Sequence, residues 1–170
     1  MIKVATMHDL NSIMKIVQGV IVEMHSYNNF QWDENYPQKQ DFAGDIKKGD
    51  LFISVREGEI VGFICINMEQ PLEYKDLPWS LPTEALVVHR MGVSPDHRKV
   101  GIGFEMVAFA DELAVKKNLG YLKTDTYSLN LNAQGLFQKL GYIFVGEMNF
   151  LGKEKPFYCY EKSVGIIPLK

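Results

Sequence analysis

The chain has 170 residues, 46% hydrophobic and 23% charged, with a formal net charge of −3. That length suits one domain, residues 1–170, with enough chain to bury a core, and the composition is globular. Lys and Arg are scattered, with no basic face or stripe, which argues against nucleic acid as a ligand.

The start, MIKVATMHDLNS, turns polar before a signal-peptide core can form, and no apolar run is long enough to cross a bilayer. The sequence is therefore read as cytoplasmic, without a membrane partner. Ile2 to Ala5 suits a short first strand. Thr6 followed by Asp9 has the shape of an N-terminal cap. Leu10, Ile13, Met14, Val17, Val20, Ile21 and Met24 recur at helical spacing, which predicts a helix over Met7–His25 with one apolar face.

Ser26 to Pro37 mixes aromatic and polar residues and breaks the period. It reads as a loop with Phe30, Trp32 and Tyr36 partly exposed or folded over a cleft. A second helix over Gln38–Lys48 buries Phe42 and Ile46. Leu51–Arg56 and Ile60–Met68 are apolar runs around Glu57-Gly58-Glu59, a hairpin signal. Glu69 to Pro82, with three prolines, reads as a loop carrying Tyr74 and Trp79.

Ala85–Val93 is the fourth predicted strand and Gly101–Lys117 the third helix, with Gly120 as its expected stop. Tyr121–Thr126 is a fifth strand, Leu131–Leu140 a fourth helix, Tyr142–Met148 a sixth strand and Phe157–Val164 a seventh. The order βααβββαβαββ describes a mixed α/β sheet of about seven strands flanked by about four helices, with strands 4 and 5 parallel because a helix crosses between them. Cys65 and Cys159 fall in predicted strands, where small buried thiols are common, so free and inert thiols are expected. No metal is called for.

The stretch that organises the chain is Leu86–Asp111, LVVHRMGVSPDHRKVGIGFEMVAFAD. It reads as strand, glycine-bearing loop, helix start. A helix start leaves its first N–H groups unpaired and carries partial positive charge, so it can receive a phosphate. Gly101 and Gly103 let the backbone turn and a ligand come close, while Arg98 and Lys99 add charged donors. An alternative of dinucleotide-binding type needs G-x-G-x-x-G, and Met106 stands where the third glycine belongs.

The spacing Arg98-x-x-Gly101-x-Gly103 resembles the coenzyme A pyrophosphate loop of the GNAT superfamily of N-acetyltransferases. A second run, Asn130 to Tyr142, is similar to that family's N-x-x-A-x-x-L-Y-x-K-x-G-F signature, with Asn130, Ala133, Leu136, Lys139 and Gly141 in register. Specific matches fall in Met91–Phe104 and Asn130–Tyr142. QWDENYP, His89-Arg90-x-x-Val93, TDTY-x-x-N and YCYEK resemble a largely unassigned bacterial subgroup.

The resemblance implies acetyl-CoA as co-substrate, transfer of its acetyl group to a primary amine of a small molecule by direct attack, and a GNAT fold in which strands 4 and 5 splay at a bulge. It implies that the backbone of Met91, Gly92 and Val93 holds the pantetheine arm. The N–H groups of Arg98, Lys99, Val100, Gly101, Ile102, Gly103 and Phe104 would hold the pyrophosphate, and Asn130 would bond near the thioester. Phe137 occupies the place of the family's usual Tyr proton donor, so it can only pack against the cofactor. Tyr127 is one replacement acid, with Tyr142 and Tyr158 as further options that can instead pack in the sheet; alternatively no acid is needed, since a thiolate leaves tolerably near neutral pH.

Glu84, His89 and Asp125 are candidate bases; His89 can instead be a satisfied structural histidine, and Asp125 can instead cap a turn or pair with Lys123. Trp32, Trp79 and Glu84, with neighbouring acids, suit a cationic acceptor, or else anchor an ordinary surface. A coenzyme A-binding sensor that transfers nothing is the competing function, kept open by Phe137. The assembly expected is a monomer or homodimer.

Overall fold

A computed structural model of the chain describes residues 1–165. The elements follow the predicted order: β1 (Ile2–Val4), α1 (Leu10–Ser26), α2 (Lys39–Lys48), β2 (Leu51–Arg56), β3 (Glu59–Asn67), β4 (Leu86–Val93), α3 (Ile102–Lys116), β5 (Tyr121–Tyr127), α4 (Leu131–Lys139), β6 (Ile143–Met148) and β7 (Phe157–Ser163). The strands form one mixed sheet in the order β1-β2-β3-β4-β5-β7-β6. β4 and β5 are parallel, while β1–β2, β2–β3, β5–β7 and β6–β7 are antiparallel. This is the mixed seven-strand, four-helix architecture that the element order implied.

Contacts divide the chain into two compact units that interleave along the sequence. Unit 1 takes Met1–Ile66 and Arg90–Met106; unit 2 takes Asn67–His89 and the chain from Val107 onward.

In unit 1 the apolar stripe of α1, with Ile13, Val17 and Val20, packs with Phe42 of α2, Leu51 and Ile53 of β2, and Phe63 and Cys65 of β3. Burying each such aliphatic or aromatic side chain contributes roughly 1.5–3 kcal/mol. The cap ahead of α1 forms as the sequence suggests. Asp9 Oδ2 accepts from Thr6 N–H at 2.8 Å and from Thr6 Oγ1 at 2.9 Å, and a single 3-10 turn, Met7–Asp9, leads into the helix. The β2–β3 hairpin turns on Glu57 and Gly58, with φ of 49° and 81°, the paired positive values of a tight hairpin turn.

Trp32 departs from expectation. It is 4% exposed, joins the unit 1 core and stacks on Phe63 at 6.2 Å. A large ring beside an apolar cluster is enclosed whatever its polar sequence neighbours, so Trp32 is a core residue and not a wall of an acceptor cleft.

In unit 2, Tyr74, Val87, Tyr127, Met148, Phe157 and Cys159 form the core. The loop expected over Glu69–Pro82 contains a 3-10 turn, Leu72–Asp76, which brings Tyr74 inward to 1% exposure. α3 ends earlier than Gly120. Asn118 takes the left-handed conformation (φ 57°), and Leu119 N–H closes back on Ala114 O at 2.9 Å. Asparagine tolerates that conformation, so it replaces the glycine stop.

Both cysteines are buried and free. Burial pushes each thiol up, which fits inert thiols.

Candidate functional site

β4 leaves the sheet at Val93. Ser94 N–H donates to Val61 O at 2.8 Å, a 3-10 turn covers Pro95–His97, and Lys99 and Gly101 adopt positive φ of 63° and 84°. Gly101 needs its missing Cβ for that backbone shape, although nothing lies within 4 Å of where one would sit. The turn aims the chain into α3, whose hydrogen-bond ladder opens with Glu105 N–H to Gly101 O at 3.0 Å. Ahead of it, the N–H groups from Lys99 to Phe104 meet no protein acceptor among the described residues. Ile102 is buried and anchors the helix start, whereas Val100 and Phe104 are exposed.

Arg98 does not point into open space. Its guanidinium grips Glu23 of α1 through Nε at 2.9 Å and through Nη2. Sequence reading could not find Glu23, which lies 75 residues away with no pattern linking the two.

Just before the loop, Gly92 sits against Phe63: an added Cβ would lie 2.7 Å from the ring. Arg90 forms a second unheralded pair, donating to Asp45 of α2 at 2.6 Å and to Tyr36 Oη at 2.9 Å. Met91 is half-buried, and Val93 is buried. Unit 1 thus brings together Met91, Gly92 and Val93 with the Arg98–Phe104 loop.

The remaining predicted residues, Trp32 apart, belong to unit 2. The β4–β5 ladder pairs Leu86–Val88 with Leu122–Thr124, while β4 runs on to Val93 and β5 to Tyr127. His89 and Asp125 are therefore the first residues past that ladder. His89 Nε2 meets Asn67 Oδ1 at 2.6 Å. Because that oxygen also accepts Glu69 N–H, the imidazole is the donor in this pair.

Asp125 is half-buried, and its Oδ2 accepts from Tyr74 Oη at 2.6 Å. Burial raises its carboxyl from 3.8 to about 6; the Tyr74 bond works against that rise and neighbouring Glu73 adds to it. A carboxylate poised near neutrality can take a proton.

Tyr127 belongs instead to the core. It is 4% exposed, packs on Phe157, and its hydroxyl accepts Lys155 N–H at 3.2 Å. The even spacing that puts Asp125 and Tyr127 on one face of β5 carries the phenol under Phe157, so it is a buried anchor and not an exposed acid. Asn130 caps α4, accepting Ala133 N–H at 3.2 Å. Phe137, 4% exposed, packs on Tyr142 and Tyr160, so its neighbours are protein aromatics.

Trp79 is half-buried and already carries a cation. Lys123 Nζ lies 4.4 Å from its ring, and the indole donates to Tyr74 O at 2.7 Å. Glu84 is exposed and lines a separate hollow with Leu119, Tyr121 and Val164. Trp32 is thus a core ring of unit 1, and within unit 2 Trp79 is an occupied ring and Glu84 a surface carboxylate lining a different hollow.

Among the described residues no group of His, Cys, Asp and Glu could hold a metal ion, and no helix is long and apolar enough to cross a membrane.

Solved structures of similar shape include acetyltransferases of the GNAT family. A Streptococcus agalactiae acetyltransferase of the GNAT family is 20% identical, with a TM-score of 0.86 over 97% of this chain and 95% of that one. A Staphylococcus aureus Mu50 protein is 29% identical, with a TM-score of 0.74 over 96% and 98%. A third, yncA of Salmonella typhimurium, solved with its cofactor acetyl-CoA, is 13% identical, with a TM-score of 0.71 over 99% and 96%. No curated protein matches. The acetyltransferase (GNAT) family model matches residues 21–142, a span that holds the Arg98–Phe104 loop and the Asn130–Tyr142 run, and the chain belongs to that family.

Proposed function

We propose that this protein transfers the acetyl group of acetyl-CoA to a primary amine of a small molecule, by direct attack in a ternary complex. The observation that carries the reading is the row of N–H groups from Lys99 to Phe104 ahead of α3, with Gly101 bending the chain and open space around it. Such a row fits a diphosphate, because several amide donors and the helix's partial charge converge on one anion. The Salmonella neighbour solved with acetyl-CoA supports the choice of donor.

Acetyl-CoA supplies an activated acetyl group. This chain's residues supply position and a proton acceptor. In unit 1 the backbone of Met91 and Val93 holds the pantetheine arm and the loop holds the pyrophosphate; in unit 2 Asn130 caps the start of α4, and Phe137 packs on Tyr142 and Tyr160 near its end. Asp125 takes the proton that the attacking amine must lose. Glu73, Asp76 and Glu84 along one segment give unit 2 a local negative charge that draws a cationic amine. No protein acid is required, since thiolate is a tolerable leaving group. The cytoplasm is the compartment assigned to this activity.

Calorimetry tests the donor. Gly101→Glu, which adds a carboxylate and a strained Cβ to the loop, is expected to abolish acetyl-CoA binding while thermal unfolding stays cooperative; unchanged affinity refutes the loop assignment. Thiol release over polyamines, amino acids, aminoglycosides and peptide N-termini tests the acceptor. Binding without turnover across that panel would favour the coenzyme A sensor, the reading that Phe137 in place of a tyrosine supports.

A further inference from the structure

Outside the expected site, unit 2 holds a buried phenol, Tyr74, whose hydroxyl has a polar partner within the same unit. Its ring is 1% exposed and packs on Trp79 at 4.9 Å, and its hydroxyl reaches across to Asp125, 51 residues away, at 2.6 Å. The segment that carries it is pinned at further points. Trp79 donates to Tyr74 O, Lys123 sits over the Trp79 ring, and Ser80 N–H donates to Glu161 Oε2 at 3.0 Å. A phenol placed this firmly has one orientation to offer.

We infer that Tyr74 is a positioning residue for acyl transfer: its hydroxyl, donating to Oδ2 of Asp125, fixes the carboxylate so that Oδ1 meets the acceptor amine. The inference rests on the proposed N-acetylation and deepens it. In that reaction the amine nitrogen forms a bond to the acetyl carbon, the carbon–sulfur bond breaks with its electron pair leaving on sulfur, and the amine proton passes to Asp125 and on to solvent. A carboxylate held at one oxygen by a fixed donor loses rotational freedom, and its other oxygen is left to accept. The phenol stays protonated through neutral pH, since burial and the adjacent carboxylate both push it up.

Groups facing Asp125 from each packed element set the expected pH behaviour. The 3-10 turn brings Tyr74, whose hydrogen bond lowers the carboxyl, and Glu73, whose charge raises it; β7 brings Cys159, its register partner, which burial keeps as a neutral thiol. β4 brings His89 one residue past the ladder, and on β5 itself Lys123 and Tyr127 share the face. Removing the Tyr74 hydroxyl therefore moves Asp125 upward, and removing the Glu73 charge moves it downward.

The full-length protein is assayed by thiol release with an amine that the wild type turns over, alongside its Tyr74→Phe, Glu73→Gln and Asp125→Asn variants. Tyr74→Phe keeps the ring against Trp79. Its acid limb of kcat/KM is expected to rise from near 6 by on the order of one pH unit, with the KM for acetyl-CoA unchanged. Glu73→Gln, on an exposed side chain, is expected to lower the limb, and it decides the matter if Tyr74→Phe fails to fold. Asp125→Asn is expected to lose about 10²- to 10⁴-fold in kcat. Turnover with coincident pH profiles in both limb variants would overturn the role of Tyr74. No turnover by the wild type with any amine would remove the acyl-transfer reading, and this role with it.

Discussion

Gly92→Ala isolates one close approach in the strand assigned to the pantetheine arm. The added Cβ would lie 2.7 Å from Phe63 Cζ and 2.9 Å from Cε1, well inside contact distance. Phe63 has nowhere to go. It is fully buried, stacked under Trp32 at 6.2 Å and edge-on to Phe42 at 5.1 Å.

Forcing one carbon into a packed site of this kind costs about 1–3 kcal/mol. For a chain of this length each kcal/mol shifts Tm by about 2–4 °C, so a loss of a few to roughly ten degrees is expected. Urea unfolding of Gly92→Ala, Phe63→Leu and the double variant measures the contact directly. If the ring is the obstacle, Gly92→Ala should cost markedly less in the Phe63→Leu background than in the wild type. A Gly92→Ala protein as stable as the wild type would show that β4 can yield there, and the steric reasoning would fail.

Glu23→Gln should weaken the hold on Arg98 and raise affinity for coenzyme A, with a steeper loss of binding as salt increases; calorimetry at two salt concentrations reads both, and identical isotherms would count against any part for Arg98. Asp125 titrates at about 6 when folded, above its ordinary 3.8. The folded state thus binds its proton more tightly, and the stability this group contributes is present below the unfolded value and lost as pH rises through about 6. Asp125→Asn should accordingly melt higher than the wild type at pH 7.5, with the gap closing toward pH 4; an equal gap at both ends would rule out this account.

Local signals are legible in the sequence and long-range pairings are not. The helical stripe from Leu10 to Met24, the cap at Thr6 and the turn at Glu57-Gly58 each depend on neighbours a few residues apart, and each appears where its spacing puts it. The Arg98–Gly103 loop is legible for the same reason. Trp32 is misleading because its polar surroundings in sequence say nothing of Phe63, which supplies its partner in space. Tyr74 stands out only as an aromatic in a proline-rich stretch; nothing local announces Asp125, or Glu23 beside Arg98. Tyr127 misleads in the opposite direction, since its place at the end of a favourable strand suggests chemistry that burial under Phe157 removes.

The interleaving of the two units bears on how the protein comes off the ribosome and on how it can be cut. Neither unit is one continuous stretch, so a fragment ending at Ile66 would lack Arg90–Met106, and with it Gly92 against Phe63 and Arg98 against Glu23. The first unit cannot close until Met106 has emerged, and the second must wait for β7 to slot between β5 and β6. Half-length fragments should therefore be poor folders, and the smallest piece able to fold is set by the order in which the chain crosses between its halves.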